Sequence, residues 1–278
     1  MRISISVTNY DGADLGEIAR AADEAGVDTL WVTDHLIQAD PHASPDGAML
    51  EACTTLGYLA AVSERVRLGA MVSAVTFREP ALLVKAVTTL DVLSHGRAWL
   101  GIGAGYQQDE AAAMGLPLPP VTERFERLGE ALRIALAMWA GDQQPVNGAH
   151  YQLAHPTSYP PPATRPHPPI LIGGAGERHT LRLVAQYGDA CNLFDIPDGG
   201  RTLRHKLDVL AGHCERIGRP YAEVEKTVST RLDPDAGPGA FADQCSRLAA
   251  LGMGHAVVIT NGPWTPAKIN MLTGAMGV

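Results

Sequence analysis

The sequence predicts a single parallel (β/α)₈ barrel. Eight short strand-like segments alternate in strict order with eight helical ones along 278 residues, and alternating βα units imply a parallel sheet with right-handed crossovers. Such barrels run to about 250 residues as one domain, so the chain reads as one domain over 1–278. A proline-rich stretch at 141–169 interrupts the alternation without ending it, so it is an insertion rather than a linker. A doubly wound open sheet is the alternative; eight units in a chain of this length favour closure.

The elements follow in order. Ile3, Ile5 and Val7 alternate with small polar residues as a first strand. Leu15, Ile18, Ala19, Ala22 and Ala25 fall at helical spacing, and Gly26 is a stop signal. Residues 28–33 read as strand two, 49–64 as a helix and 66–73 as strand three. Pro80 opens a helix that ends at Gly96, since its missing N–H costs nothing in a first turn. Strand four is 97–102. A glycine-rich turn and a short helical piece lead to Thr122, which caps an amphipathic helix through Phe125, Leu128, Leu132 and Trp139. Inside the insertion, Asn147–Gly148 marks a small hairpin. Strands at 169–174, 189–194, 224–230 and 255–260 then alternate with helices at 177–187, 201–217, 239–251 and 265–276.

Composition narrows the function. Hydrophobic residues make up 46%, enough for a large core, and the net charge of −8 repels phosphate backbones, so nucleic acid is an unexpected partner. The four cysteines form no CxxC pair and read as reduced thiols of a cytoplasmic protein. No apolar run is long enough for a membrane span, and no signal-peptide pattern opens the chain. The ten histidines show no HExxH spacing, so no metal site is expected.

In such a barrel the chemistry sits where the strands end. Asp34-His35 follows strand two and is an acid–imidazole pair suited to proton transfer near neutral pH. Gly173-Gly174-Ala175-Gly176 lies between a strand and a helix, where successive N–H groups and the helix N-terminus favour a phosphate; the bland alternative is a tight turn with no ligand. Gly101, Gly103 and Gly105 do not form a dinucleotide fingerprint and read instead as close approach of backbone to a flat ligand. Ser73 lacks a GxSxG setting. Trp31, Trp99 and Trp139 read as core, and Glu51 with Arg97 as candidate partners at the rim.

Three segments resemble the bacterial luciferase-like superfamily, most closely its deazaflavin (coenzyme F420)-dependent oxidoreductases: AGVDTLWVTDH, the long run from VRLGAMVS to LGIGAGYQQDE, and PILIGGAGERHTLRLVAQYGDACN. The resemblance implies a TIM barrel, a deazaflavin or flavin in its mouth and a homodimer. It implies a bulge after strand three with a non-prolyl cis peptide under the ring, placed here at Met71–Val72 and continuing into Ser73. By position, Asp34 and His35 stand beside the ring, Ala104 and Gly105 line its pyrimidine side, and Gly173, Gly174, Ala175 and Gly176 hold the phosphate. The family's sugar-phosphate dehydrogenases carry a carboxylate where this chain has Tyr106, and their phosphate-gripping lysines have no clear counterpart, so the substrate is left unassigned.

The expected function is hydride transfer between coenzyme F420 and a small organic substrate. His35 is the proton donor or acceptor, Asp34 its orienter or a ring contact, and Tyr106 an alternative donor. An FMN-dependent two-component monooxygenase with a separate reductase is the alternative, and a non-catalytic flavin-binding barrel a further one.

Overall fold

Eight barrel strands follow one another around a closed wall: β1 (Arg2–Val7), β2 (Thr29–Val32), a third in two halves, β3 (Arg67–Ala70) and β4 (Ser73–Ala74), and β5 (Leu100–Gly103). After the hairpin β6 (Val146–Asn147) and β7 (Gln152–Leu153) come β8 (Ile170–Gly173), β9 (Ala190–Phe194), β10 (Glu225–Leu232) and β11 (His255–Thr260). This computed structural model describes residues 1–40 and 42–276, with Pro41, Gly277 and Val278 outside it. The main sheet runs β3-β2-β1-β11-β10-β9-β8-β5-β4, every pairing parallel. Because β3 and β4 are halves of one strand, the two ends of that order meet. The residue pairs Ser73↔Ile102 and Ala74↔Gly103 close the upper wall, and the Leu68↔Ala98 bridge closes the lower one. Closure rules out the doubly wound alternative.

The break in the third strand falls at Met71–Val72, whose peptide bond is cis, as the resemblance implied. The glycines around it have a packing reason. A Cβ on Gly101 would lie 1.9 Å from the Ala70 carbonyl oxygen, and Cβ atoms on Gly103 and Gly173 would lie 2.9 and 2.8 Å from the Val72 methyls. Those glycines make room for the bulge. This corrects, for Gly101 and Gly103, the expectation that the ligand itself demands the close approach.

The bore is packed by Trp31, Trp99, Leu171, Ala190 and Val257. The two indoles stand with centroids 5.6 Å apart, and a Cβ on Gly69 would lie 2.6 Å from Trp31. Between wall and helices lies the larger layer, including Ile3, Ile5, Leu30, Leu68, Ile102, Leu128 and Leu132, all buried. The expectation that Trp31, Trp99 and Trp139 are core holds.

The helices are α1 (Leu15–Ala25), α2 (Ala52–Val62), α3 (Pro80–Leu93), α4 (Gln108–Ala113), α5 (Val121–Trp139), α6 (Thr180–Tyr187), α7 (Arg201–Ile217), α8 (Gly237–Ala250) and α9 (Pro266–Asn270). Asp14 caps α1 by accepting from Glu17 N at 2.9 Å, and Gly26 closes it at φ 76°. Several boundaries differ from expectation, three of them in kind. Thr122 lies within the first turn of α5, whose N-cap is Pro120 and makes no side-chain bond. α6 starts at Thr180 rather than 177, because Glu177–His179 form a turn. The last helix ends at Asn270 and is followed by a single 3₁₀ turn.

The insertion is pinned to the outside of the barrel. Glu130 accepts from the backbone N–H groups of Ala149, His150 and Tyr151, and Thr164 donates twice to Asp91. His167 stacks on Trp139, with ring centroids 5.5 Å apart. No described residue of 141–169 lines the cavity at the strand ends.

Candidate active site

A cavity of about 670 Å³ opens at the C-terminal ends of the strands, within the range of small-molecule sites. Its wall includes Asp34, His35, Met71, Val72, Ala104, Gly105, Tyr106, Gly173 and Gly174. Of the expected site residues, Ser73, Ala175 and Gly176 do not line it. Ser73 is buried in β4 pairing, and Ala175 packs against the core.

Adjacent residues of an extended chain point to opposite sides, and this separates Asp34 from His35. The Asp34 carboxylate is buried and takes both its bonds from one guanidinium: Arg78 Nη1 donates at 2.6 Å and Nη2 at 2.9 Å. Arg78 Nη2 also donates to Glu51 at 2.6 Å. Burial opposes ionisation of Glu51, but its bonds from Thr54 and Arg78 win and bring its pKa down to about 2. Asp34 is therefore a fixed wall group and not the orienter of His35. The expected Glu51–Arg97 pair is also absent. Arg97 precedes β5 at the other end of the barrel and donates there to Ser63 Oγ and to carbonyls of Ala60, Ser63 and Val66.

His35 has a different partner, which the sequence reading missed. Its Nδ1 lies 2.8 Å from Glu110 Oε2 in α4, and Glu110 is 1% exposed. The other Glu110 oxygen accepts from Leu36 N at 2.5 Å. With Nδ1–H donated to the carboxylate, Nε2 is the acceptor, and it faces the Tyr106 hydroxyl at 3.3 Å. The Tyr106 ring is exposed and meets His35 edge-on. Desolvation and then the Glu110 charge push its hydroxyl pKa up, so it keeps its proton as a donor. A carboxylate–imidazole–phenol line results, with Nε2 at the cavity. Glu110 had one sequence signal: it sits four residues past Tyr106, on the short helix that follows strand four.

At the opposite wall the chain leaves β8 through Gly174 at φ 115°, backbone that favours glycine. The N–H groups of Ala175 and Gly176 donate to no acceptor among the described residues. The Thr180 hydroxyl lies beside this turn, 2.9 Å from where a Gly176 Cβ would be, and lines the cavity without a protein partner among the described residues. Together these donors suit an anion. Thr180 was also missed; its place at the true start of α6 was hidden by the three-residue turn before it. Between the two walls, Asn192 Nδ2 donates to Ser229 Oγ at 2.8 Å on the floor. Among the described lining residues Arg231 is the single Lys or Arg, and it donates to Asn261 Oδ1 at 2.8 Å.

The residues present fit a tricyclic cofactor with a phosphate: a flat apolar bulge at Met71–Val72, backbone at Ala104–Gly105 and a free donor cluster at the glycine turn. No group of three or more His, Cys, Asp or Glu suited to a metal occurs among the described residues. All four cysteines are free thiols, and no described helix is long and apolar enough to cross a membrane.

Comparison with known proteins gives the family and the fold. The family model for luciferase-like monooxygenases matches residues 4–251. An F420-dependent glucose-6-phosphate dehydrogenase of Kineococcus radiotolerans is 31% identical over 242 residues, 84% of this chain and 67% of that protein. An F420-dependent secondary alcohol dehydrogenase, solved with an F420–acetone adduct, superposes with a TM-score of 0.84 at 17% identity, covering 99% of this chain and 98% of that one. The monooxygenase RslO1 of Streptomyces bottropensis superposes with a TM-score of 0.78 at 19% identity, covering 99% and 98%.

Proposed function

The chain belongs to the luciferase-like monooxygenase family, and from that premise we propose that it is a coenzyme F420-dependent oxidoreductase interconverting an alcohol or hemiacetal with its carbonyl product. The carrying observation is the Glu110–His35–Tyr106 line opening on the same cavity as the bulge and the glycine turn. The relative named as a glucose-6-phosphate dehydrogenase and the neighbour named as a secondary alcohol dehydrogenase support the same class of carbon–oxygen chemistry.

The deazaflavin, when bound, supplies a two-electron hydride acceptor or donor that does not readily handle oxygen. The chain's own residues do the rest. Met71, Val72, Ala104 and Gly105 would seat the ring. The Ala175 and Gly176 N–H groups, at the edge of the cavity beside its lining residues Gly174 and Thr180, would hold the phosphate together with the Thr180 hydroxyl. His35 Nε2 accepts the substrate hydroxyl proton as the C–H bond gives up its hydride, and returns it in the reverse direction. Glu110 fixes the tautomer that makes Nε2 the acceptor and stabilises the imidazolium that forms. Asp34, held by Arg78, would be a fixed wall group beside the ring. Arg231 is the single Lys or Arg among the described lining residues and lies 3.9 Å from Asp40 Oδ1, which favours substrates with little negative charge over sugar phosphates.

Anaerobic incubation of oxidised F420 with a panel of secondary alcohols and with glucose 6-phosphate, following the cofactor's absorbance, tests the proposal. Reduction by at least one alcohol, faster than by the sugar phosphate, is expected. Oxygen uptake with reduced FMN and no reaction with F420 would overturn it.

A further inference from the structure

The cavity wall divides into two arcs. In the order of the sheet, β8, β5 and β4 are consecutive, and they carry the glycine turn, Ala104–Gly105 and the bulge. The other arc, β2-β1-β11-β10, lines the same cavity and carries a polar cluster that neither ring nor phosphate uses. His35 follows β2, at the border between the arcs, so a substrate held against its Nε2 has this second arc as its other wall.

The cluster joins the ends of three strands. Thr8, just past β1, donates its hydroxyl to Asp40 Oδ2 at 2.9 Å, and Gln38 Nε2 donates to the Thr8 carbonyl at 3.3 Å. Asp40 N donates in turn to Gln38 Oε1 at 2.8 Å. Arg231, in β10, faces this loop. Its Nη2 lies 3.9 Å from Asp40 Oδ1, beyond hydrogen-bond reach, while Nη1 donates to Asn261 Oδ1 at 2.8 Å. The Asp40 side chain is only 5% exposed. Each of its oxygens accepts one bond, Oδ2 from Thr8 and Oδ1 from His42 N, and each has a lone pair left. Arg231 Nη2 donates to no acceptor among the described residues. A carboxylate with spare acceptor sites and a guanidinium with spare N–H groups thus face each other across a gap on the cavity wall.

A hydroxyl fits that gap, because it donates to the carboxylate and accepts from the guanidinium at once. Asp40 would repel a carboxylate or phosphate there, and Arg231 would repel an ammonium. We infer that Asp40 and Arg231 form a subsite for a second, non-reacting hydroxyl of the substrate, so that the preferred substrates are neutral compounds with two or more hydroxyls rather than simple alcohols. The inference rests on the F420-dependent alcohol chemistry proposed above.

Matched pairs that differ only in the second hydroxyl test it: 2-butanol with 2,3-butanediol, 2-pentanol with 2,4-pentanediol, and 2-hexanol with 2,5-hexanediol. Each is added anaerobically to the protein saturated with F420. Initial rates of cofactor reduction give kcat/KM, and cofactor fluorescence gives affinity where no reduction occurs. In at least one pair the diol is expected to exceed its mono-alcohol about tenfold, the low end for hydrogen bonds to charged groups. Arg231→Met and, separately, Asp40→Asn should each bring that ratio toward one. 3-Hydroxybutanoate, with a carboxylate in place of the second hydroxyl, should act more weakly than 1,3-butanediol; the reverse order would make Arg231 a plain anion receptor and overturn the paired subsite. Equal values in every pair, or no response to either member of any pair, with F420 bound, would overturn the subsite and leave the F420 reading intact. Failure of F420 itself to bind would overturn both.

Discussion

The two ends of the barrel are built from the same residue types and do opposite things. At the N-terminal end, strand-opening residues form a mutually paired charge network. His255 is buried, with Nδ1 2.6 Å from Glu225 and Nε2 against Ser4 and 3.8 Å from Asp28. Arg2 pairs with Glu225 at 2.7 Å, and Arg67 pairs with Asp28 while stacking over Trp99 at 4.6 Å. Each charge there has an opposite charge beside it. At the C-terminal end, His35 turns one ring nitrogen toward the exposed Tyr106 hydroxyl on the cavity wall, and the Thr180 hydroxyl and the N–H groups of the glycine turn have no partner among the described residues. A histidine flanked by acids is therefore not by itself a site. The distinction is whether the hydroxyl at its second nitrogen is buried, as Ser4 is, or stands exposed on a cavity wall, as Tyr106 does.

The sharpest way to break the comparison is to remove each histidine. His35→Ala should lower turnover by about 10²–10⁴-fold, with cofactor affinity held within a few-fold, as for loss of a general acid–base. Steady-state kinetics at saturating cofactor check it, and retained turnover would take His35 off the catalytic list. His255→Leu should do the reverse. It leaves Glu225 and Asp28 short of a buried partner, so urea unfolding should show a loss of about 3 kcal/mol with cofactor affinity unchanged. A loss of affinity without a loss of stability would erase the difference between the two ends.

Smaller perturbations refine it. Gly174→Val puts a β-branched side chain on backbone at φ 115° and should weaken cofactor binding at least about tenfold, or 1.4 kcal/mol. Unchanged affinity in a folded variant would move the phosphate elsewhere. Acid should weaken the N-terminal end. Burial opposes ionisation of Asp28 and Glu225, but His255 and the neighbouring arginines hold both below their ordinary values of 3.8 and 4.5. Their contribution is complete above those values, where the unfolded chain is also ionised. It is lost as pH falls through the lower folded values, where the unfolded chain binds the extra protons. Asp28→Asn/Glu225→Gln should flatten the acid limb of a stability–pH curve, and an unchanged limb would show that other carboxylates govern it.

Most of the wall was legible because each strand is followed by its own stop signal and helix, as at Gly26 and Pro80. The bulge, the cis bond at Met71–Val72 and the pairing of Asp34-His35 with a glycine turn across the mouth were legible through the resemblance. What was hidden depended on contacts across long stretches of chain. Glu110 is 75 residues from His35, and Arg78 is 44 from Asp34. No local pattern marks either partner, since a short acidic helix and an arginine before Glu79-Pro80 look like ordinary solvated surface. Gly101 and Gly103 were misread for a related reason: the atoms they avoid belong to Ala70 and Val72, one strand away.

The central claim, that the mouth is built for a deazaflavin, is tested most directly by equilibrium titration of the purified protein with F420 and with FMN, each followed by its own fluorescence. Saturable quenching of F420, with FMN binding at least tenfold more weakly, is the expected result. FMN binding as tightly as F420, or tighter, would contradict it.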